Sequence, residues 1–483
     1  MRQSSLPEYA PAATPDTWTR LTWAYAALVV FGLAYFLVDL PVQVTDSYGN
    51  MVDATRGSLW DLVYRQFFQQ GYLRPLLWAH IRVLFDVSGG AYYEWFRGWH
   101  VAQVTLLVAL FLWLVRPRGA SAFAATAIGL AALVGMHTFA GTVREAFPVN
   151  TFMTILLCCF GAAAVAMGRP AWWRDPLAAL ILVFAALTVE SGLLVAVVVV
   201  AAWLAGARGV SWRGVALQVS LIAGYLYLRF VVLAVGSPGL EERSSGFGFS
   251  RYEPDELIAS FGGNPLPFYA YNVLSSIATV LFGEPRGGTF VVVRDAWLDG
   301  RYFTPWSVGA LATTLGTLFI VRYAWVRRRE WWGLRFDRGD QLVVVFVAVT
   351  LANAVISYPY TKDVIMSPAG IFFAAALTVA VRHFLDTCHP ASWLRGATAA
   401  VLVLALSSAW AARAVGAHLG LRVAAASQRA EWAYVDSWLE REHTTPTEPA
   451  AIALKEALQE EAAYLHPLRP PLRGDWIEWF SPE

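Results

Sequence analysis

Long apolar runs separated by short polar segments occupy most of this chain between about residue 21 and residue 414. A helix needs about 20 mostly apolar residues to cross a bilayer, and the pattern predicts eleven membrane-spanning helices. The fifth and sixth runs are short and adjoin at Glu190-Ser191-Gly192, so one long helix there, with ten spans in all, is the alternative. The eleven predicted spans are 21–40, 99–115, 120–140, 149–167, 176–189, 192–206, 214–236, 305–323, 341–357, 364–381 and 396–414.

The distribution of arginine in the short loops predicts the orientation of these spans. Cytoplasmic loops are enriched in Lys and Arg. With eleven spans and a cytoplasmic N-terminus, the loops in which arginine collects fall on the cytoplasmic side, and the C-terminus is extracytoplasmic. They hold Arg20, Arg116 and Arg118, Arg169 and Arg174, Arg208 and Arg213, the Arg322 to Arg338 cluster, and Arg382 and Arg395. Ten spans would place the Arg327-Arg328-Arg329 cluster outside, so the sequence favours eleven.

The polar segments outside the spans predict a multi-pass domain over 1–414 and a small extracytoplasmic helical tail over 415–483. The first external loop, 41–98, has apolar residues at helical spacing, which predicts interfacial helices. The second large external segment is 237–304, and its apolar stretch 266–283 is interpreted as a re-entrant or interfacial helix. The acidic tail predicts two amphipathic helices and offers a surface for a protein partner.

Composition places the chain among all-α integral membrane proteins. Hydrophobic residues make up 57% of it and charged residues 15%, outside the range of soluble domains. The formal net charge of +1 gives no reason to expect a nucleic-acid partner. The three cysteines form no metal-ligand pattern, so the sequence predicts no cofactor and no metal site, although a divalent metal ion stays an open alternative.

Four charged residues near the predicted outer ends of spans are candidates for chemistry. Asp46 follows the first span and is interpreted either as a general base or as a solvated acid at a helix end. Arg74 could hold a phosphate through two hydrogen bonds or extend to water from the interface. Glu190 interrupts a long apolar run and must reach water, a cation or a cavity. Arg229 could pair with Glu190 or with a lipid phosphate.

Two predicted external turns carry further polar residues. Arg144 and Glu145 occupy one of them, where a simple ion pair is the alternative to substrate binding. Tyr360 and Lys362 occupy the other, where a phosphate site and interfacial anchoring predict the same residue types. All these clusters fall on one predicted side of the membrane.

The order of these motifs resembles the GT-C superfamily of integral membrane glycosyltransferases, which use polyprenyl-phosphate-linked sugars. Asp46 after the first span, Tyr72 with the Arg74-Pro75-Leu76 run, Phe96 to His100, Arg144-Glu145, Glu190-Ser191-Gly192 and Tyr227-Leu228-Arg229 carry the resemblance. It covers about the first 230 residues, with a weaker match at Tyr360 to Asp363. Serine follows Asp46 where many members have a second acid, and the chain lacks a large soluble domain after its spans.

The resemblance implies a GT-C-like arrangement of helices and a polyprenyl-phosphate sugar as the donor lipid, with the acceptor unknown. It implies that Asp46 is the catalytic base or positions the acceptor. It implies that Arg74, Arg229 and Lys362 hold the lipid phosphate. The remaining predicted substrate-binding residues are Arg144, Glu145, Glu190 and Tyr360.

The resemblance therefore implies a glycosyltransferase on the outer face of a bacterial inner membrane. It acts by inverting displacement without an obligatory metal. Two other classes stay open. A lipid or solute transporter would use Glu190 and Arg229 in a polar pathway, but its polar residues should line the full depth of several spans. A non-catalytic subunit of a membrane assembly would tolerate Asp46→Asn and lose function on deletion of the tail, whereas the enzyme would do the reverse.

Overall fold

The computed structural model describes residues 17–44, 48–68, 73–144, 151–234, 255–256, 259, 264, 266–283, 296–298, 300, 307–359, 363–388, 393–441 and 445–464. The elements in this part of the chain are helices. They are α1 Thr17–Leu37, α2 Gly49–Thr55, α3 Leu59–Phe68, α4 Pro75–Ser88, α5 Tyr92–Val115, α6 Ala120–Gly135, α7 His137–Arg144, α8 Thr151–Ala166, α9 Arg174–Ala186, α10 Leu194–Leu204, α11 Trp212–Tyr227, α12 Leu266–Phe282, α13 Ser307–Trp332, α14 Arg338–Ile356, α15 Ser367–Thr387, α16 Trp393–Ala433, α17 Val435–Arg441 and α18 Pro449–Tyr464.

The chain is an α-helical protein with several helices suited to a membrane. Among the described residues, seven helices are long and apolar enough to cross a bilayer, and α6 and α7 make an eighth if this pair, bent by 52°, is one span. Three further apolar helices are shorter, namely α8, α12 and Glu190–Leu204. A helix coincides with each of the eleven predicted runs, while the count of eleven crossings stays a prediction.

Hydrogen bonds between loops define one end of the helix bundle. Arg338 at the start of α14 donates to the carbonyl oxygens of Leu114 and Met167, at 3.0 and 2.8 Å. The Asp175 carboxylate at the start of α9 accepts from the backbone N–H of Ser211, at 2.8 Å. We call the end that holds these residues the arginine-rich end and the opposite end the tail end.

The helices α9 and α10 form a hairpin, and the single long helix considered as an alternative is absent from this described stretch. Helix α9 begins at the arginine-rich end, beside Ser211, which immediately precedes α11. Because α10 leads back to that same end, the turn between α9 and α10 lies at the tail end. Val189 in this turn has an extended backbone (φ −157°, ψ 151°), and a short 3₁₀ helix, Glu190–Leu193, follows it.

Helix α12 packs within the bundle. Its buried side chains include Phe268, Ser276 and Thr279, and the Asn272 side-chain amide donates to the carbonyl oxygen of Tyr358 after α14, at 2.8 Å. The sequence predicts a re-entrant or interfacial helix for this stretch. Its 17 residues are fewer than the roughly 20 that a perpendicular crossing requires.

The last long helix continues past the predicted boundary at residue 414. Helix α16 has 41 residues without a break, a length of about 60 Å at 1.5 Å per residue, which exceeds the thickness of a bilayer core. The helix therefore runs without a break from the predicted multi-pass domain, 1–414, into the predicted tail. The sequence becomes less apolar after residue 414, but helical hydrogen bonding does not depend on that change.

The tail shares a hydrophobic core with the first loop. Buried residues of the tail, including Trp432, Leu439 and Leu458, pack with residues of the loop, including Met51 and Ile81. The Trp432 indole N–H also donates to the carbonyl oxygen of Val42, and the Tyr48 hydroxyl donates to that of Ala451 at 3.0 Å. We call this unit, formed by the described residues within 42–88 and 428–464, the loop–tail domain.

One carboxylate in the loop–tail domain makes its stability depend on pH. Burial and the nearby Glu94 carboxylate raise the pKa of Glu461, on α18, from 4.5 to about 7. Because the pKa of Glu461 is raised in the folded state, its contribution to the free energy of unfolding is most favourable below pH 4.5 and is lost as the pH rises through about 7. We expect Glu461→Gln to stabilise the protein by about 1 kcal/mol at about pH 8, allowing for solvent screening.

Thermal unfolding of protein in lipid nanodiscs between about pH 5 and pH 8 measures this effect. The adjacent and exposed Glu460 supplies the control variant Glu460→Gln, which should keep the wild-type dependence on pH. Equal behaviour of the two variants would contradict the role of Glu461.

Candidate functional site

The turn between α9 and α10 places Glu190 at the tail end of the bundle. The turn is tight: a Cβ atom on Gly192 would lie 2.1 Å from the carbonyl carbon of Ala185 and 2.5 Å from the backbone nitrogen of Ala186. Only glycine allows this approach of the 3₁₀ helix to the end of α9. The side chain of Glu190 is 20% exposed, so its carboxylate is accessible to solvent from one side.

Arg74 reaches this carboxylate from the first loop. Its Nη2 atom lies 2.6 Å from Oε2 of Glu190, and its Nε atom lies 3.1 Å from the same oxygen and 3.3 Å from Oε1. Arg74 directly precedes α4, and Pro75 is well suited to the first turn of that helix. The backbone N–H of Leu76 donates to the carbonyl oxygen of Leu187, at 3.0 Å. The loop is thus attached to the turn by one ion pair and one backbone hydrogen bond.

Arg229 reaches the same carboxylate from the end of α11. Its Nη1 atom lies 3.1 Å from Oε1 of Glu190 and donates to the hydroxyl of Tyr225, at 3.2 Å. Its side chain is only 7% exposed, and its Nε atom has no hydrogen-bond partner in the described structure. Arg229 belongs to a short π-helix, Leu228–Val232, a local widening of the helix that often occurs at functional sites.

The three side chains form a site with an excess of one positive charge. Two guanidinium groups share one carboxylate, and all three are largely shielded from water. Carboxylates and phosphates both accept paired N–H groups from arginine. The Glu190 carboxylate therefore uses some of the N–H donors that a phosphate would use. The arrangement can therefore hold an anionic group next to Glu190, with Arg229 Nε as an available donor. We call Arg74, Glu190, Arg229 and Tyr225 the two-arginine site.

The other predicted site residues are only partly described. Arg144 ends α7 at the tail end of the bundle, where its carbonyl oxygen accepts from the Gln428 side chain, at 3.2 Å. This contact links α7 to the start of the loop–tail domain. Asp46, Glu145, Tyr360 and Lys362 lie outside the described residues, so their positions relative to the two-arginine site stay predictions.

The structure adds two functional candidates to which the sequence analysis assigned no role. Tyr225 holds Arg229 from one turn earlier on α11. Arg97, buried near the start of α5, donates to the carbonyl oxygen of Pro41 at 2.7 Å and lies 2.9 Å from Nδ1 of His100. Arg97 thereby holds the segment that leads to Asp46. The sequence signal for it was an arginine and a histidine three residues apart on an apolar helix, a spacing that places both on one face.

Comparison of this chain with protein-family models, with curated proteins and with solved structures found no match.

Proposed function

We propose that this chain is an integral membrane glycosyltransferase that moves a sugar from a polyprenyl-phosphate donor to an acceptor. The observation that supports the proposal best is the convergence of Arg74 and Arg229, from two distant segments, on Glu190. Charged groups near membrane depth are costly and are retained where they bind or pair. A net positive charge at the end of apolar helices suits a lipid whose phosphate lies at the bilayer surface.

The reaction would be a single displacement at the anomeric carbon. The acceptor hydroxyl oxygen forms a bond to that carbon, and the bond from the carbon to the phosphate oxygen breaks with its electron pair moving to the phosphate. Asp46 takes the proton of the acceptor hydroxyl. Arg74 and Arg229 stabilise the negative charge that develops on the departing polyprenyl phosphate. In many enzymes, electrostatic stabilisation of this kind is the largest single contribution to the rate enhancement. Lys362 is a further candidate for the same role.

Glu190 would keep the two guanidinium groups in place while the donor is absent. Without it, two cations would lie close together in a poorly hydrated site, and their repulsion would separate them. An arriving phosphate would bind to the outer sides of both groups. The cellular setting follows from the same proposal: the outer face of a bacterial inner membrane, with the N-terminus cytoplasmic and the C-terminus outside.

A non-catalytic subunit is the second candidate, and a specific observation favours it. Arg74–Glu190 and the Leu76–Leu187 hydrogen bond attach the first loop to the bundle, and a scaffold would need the same contacts. Deletion of the tail no longer distinguishes the two, because removing it would expose the core of the loop–tail domain. Asp46→Asn does distinguish them, since only the enzyme needs this carboxylate as a base.

The lipid-binding part of the proposal predicts retention of a polyprenyl phosphate by gently extracted protein. We expect native mass spectrometry to detect such a lipid on the wild type and to find less than about one tenth as much on Arg229→Gln, because one lost charge-assisted hydrogen bond costs roughly 1.5–3 kcal/mol. Lys362→Ala tests the third predicted phosphate ligand in the same way.

Arg56→Gln is the matched control for this measurement. Arg56 lies in the loop–tail domain and forms an exposed ion pair with Glu448, so its loss should leave the lipid in place. A wild-type protein that carries stoichiometric partner chains and no such lipid would favour the subunit over the enzyme. Equal lipid retention by all variants would exclude the two-arginine site as the phosphate site.

A further inference from the structure

A groove of about 410 Å³ lies at the edge of the loop–tail domain. Its walls come from the end of α16, from α17 and from Val44 of the first loop. This volume is within the range of roughly 300–1,000 Å³ that is usual for small-molecule sites. The groove and the two-arginine site have no residue in common.

The lining residues form a stripe along two consecutive helices. Ser427, Glu431, Tyr434, Trp438 and Arg441 follow one another at spacings of three and four residues, which places side chains on one helical face. The buried stripe that packs against the loop is offset from it by about one residue. The groove therefore continues along the edge of the shared core, and two of its lining residues, Val44 and Trp438, also pack in or against that core.

Glu431 connects the groove to the first loop. Its carboxylate accepts from the backbone N–H of Val44, and its Oε2 atom is buried, with no hydrogen-bond partner in the described structure. Val44 is two residues before Asp46 in the sequence, so a ligand of this groove would lie close along the chain to the predicted base.

The charges and side-chain types of the lining indicate the chemistry of the ligand. Glu431 and Arg441 contribute one charge of each sign, so the lining favours neither an anion nor a cation. Ser427 and Ser437 add hydroxyl groups that both donate and accept. Tyr434, 72% exposed, and Trp438 add aromatic surface for an apolar face of the ligand. A neutral molecule with many hydroxyl groups and apolar C–H faces satisfies all three features, and a saccharide is such a molecule.

We propose that the groove binds a neutral saccharide, the acceptor of the transfer reaction. This assignment of the acceptor rests on the proposed function, whereas saccharide binding by the groove does not. The transfer step itself is the one already given, with the acceptor hydroxyl supplying the attacking oxygen and Asp46 taking its proton.

Saturation-transfer difference NMR on the full chain in lipid nanodiscs tests the binding. Maltoside detergents must be avoided because their head groups are neutral sugars. The probes are neutral di- and trisaccharides of glucose, galactose and mannose, with glucuronate and glucosamine as charged comparators. We expect saturable binding of at least one neutral probe, and we expect Tyr434→Ala to weaken it about tenfold, the effect of losing one aromatic contact worth roughly 1.4 kcal/mol.

Tyr464→Ala is the matched control, since Tyr464 is an equally exposed tyrosine of the tail (73%) that does not line the groove. Because both tyrosines are exposed, neither substitution should lower the thermal midpoint. Failure of every neutral probe to bind, preference for a charged probe, or equal loss in the two variants would overturn the proposal. Saccharide binding without retained polyprenyl phosphate would keep the groove assignment and reject the transferase function.

Discussion

Replacing Glu190 with alanine is expected to lower the free energy of unfolding by about 3 kcal/mol, because it leaves two guanidinium groups without their shared counter-charge. The larger part of this loss comes from Arg229, whose side chain is 7% exposed and cannot reach bulk water as Arg74 can. Glu190→Gln should cost less, since the amide oxygen still accepts one hydrogen bond.

Thermal and denaturant unfolding in nanodiscs measure this loss, and a double-mutant cycle with Arg229→Gln isolates the pair. We expect a coupling energy of about 1–3 kcal/mol, as for residues that share one ionic network. Glu448→Ala is the control: Glu448 also pairs with an arginine, but its side chain is 49% exposed, and exposed pairs contribute about 0–1 kcal/mol. A loss no larger than that of the control would show that the two-arginine site does not stabilise the fold.

Added polyprenyl phosphate extends this experiment to function. If the two arginines hold a phosphate, the lipid should raise the thermal midpoint of Glu190→Ala more than that of the wild type, because its charge replaces the missing carboxylate. An equal rise of the thermal midpoint in both proteins would show that the lipid does not bind at the two-arginine site.

Gly192→Ala is expected to destabilise the protein by at least about 3 kcal/mol and to abolish lipid retention. The added Cβ atom would lie 2.1 Å from a carbonyl carbon of α9, and the nearest atoms all belong to the backbone, which cannot move aside as a flexible side chain could. The 3₁₀ helix must then move away from α9 and carry Glu190 out of reach of Arg74.

Gly224→Ala is the matched control for that substitution. A Cβ atom on Gly224 would meet nothing within 4 Å, and alanine is favoured over glycine within a helix by up to about 1 kcal/mol. We therefore expect this variant to be as stable as the wild type or more so, with its lipid retained. Unchanged unfolding and lipid retention in Gly192→Ala would mean that the turn can relax without loss of the site.

The sequence predicted the helices well because apolarity along the chain is a local property. Each predicted run coincides with a helix, and the break at Glu190-Ser191-Gly192 is where the polar interruption indicated it. The same local property does not reveal where α16 ends. Its continuation from residue 414 to Ala433 is amphipathic, so the apolar pattern of a membrane span stops before the helix does.

Contacts within the site were only partly accessible from the sequence. The pairing of Arg229 with Glu190 was one of the options raised, whereas Arg74 was assigned to phosphate or water and in the structure also pairs with Glu190. Nothing local indicates that a residue before α4 meets a turn 116 positions later, because such contacts depend on how helices pack.

By itself, the sequence determined that this is a helical membrane protein, where its helices lie and which charged residues must find a partner. Only the tertiary structure decided which partners they find, that the first loop and the tail share one core, and that a groove forms at the edge of that core. The physical reason is that helix formation and apolarity are set by neighbouring residues, whereas ion pairs and shared cores require segments far apart in sequence to be brought together by packing.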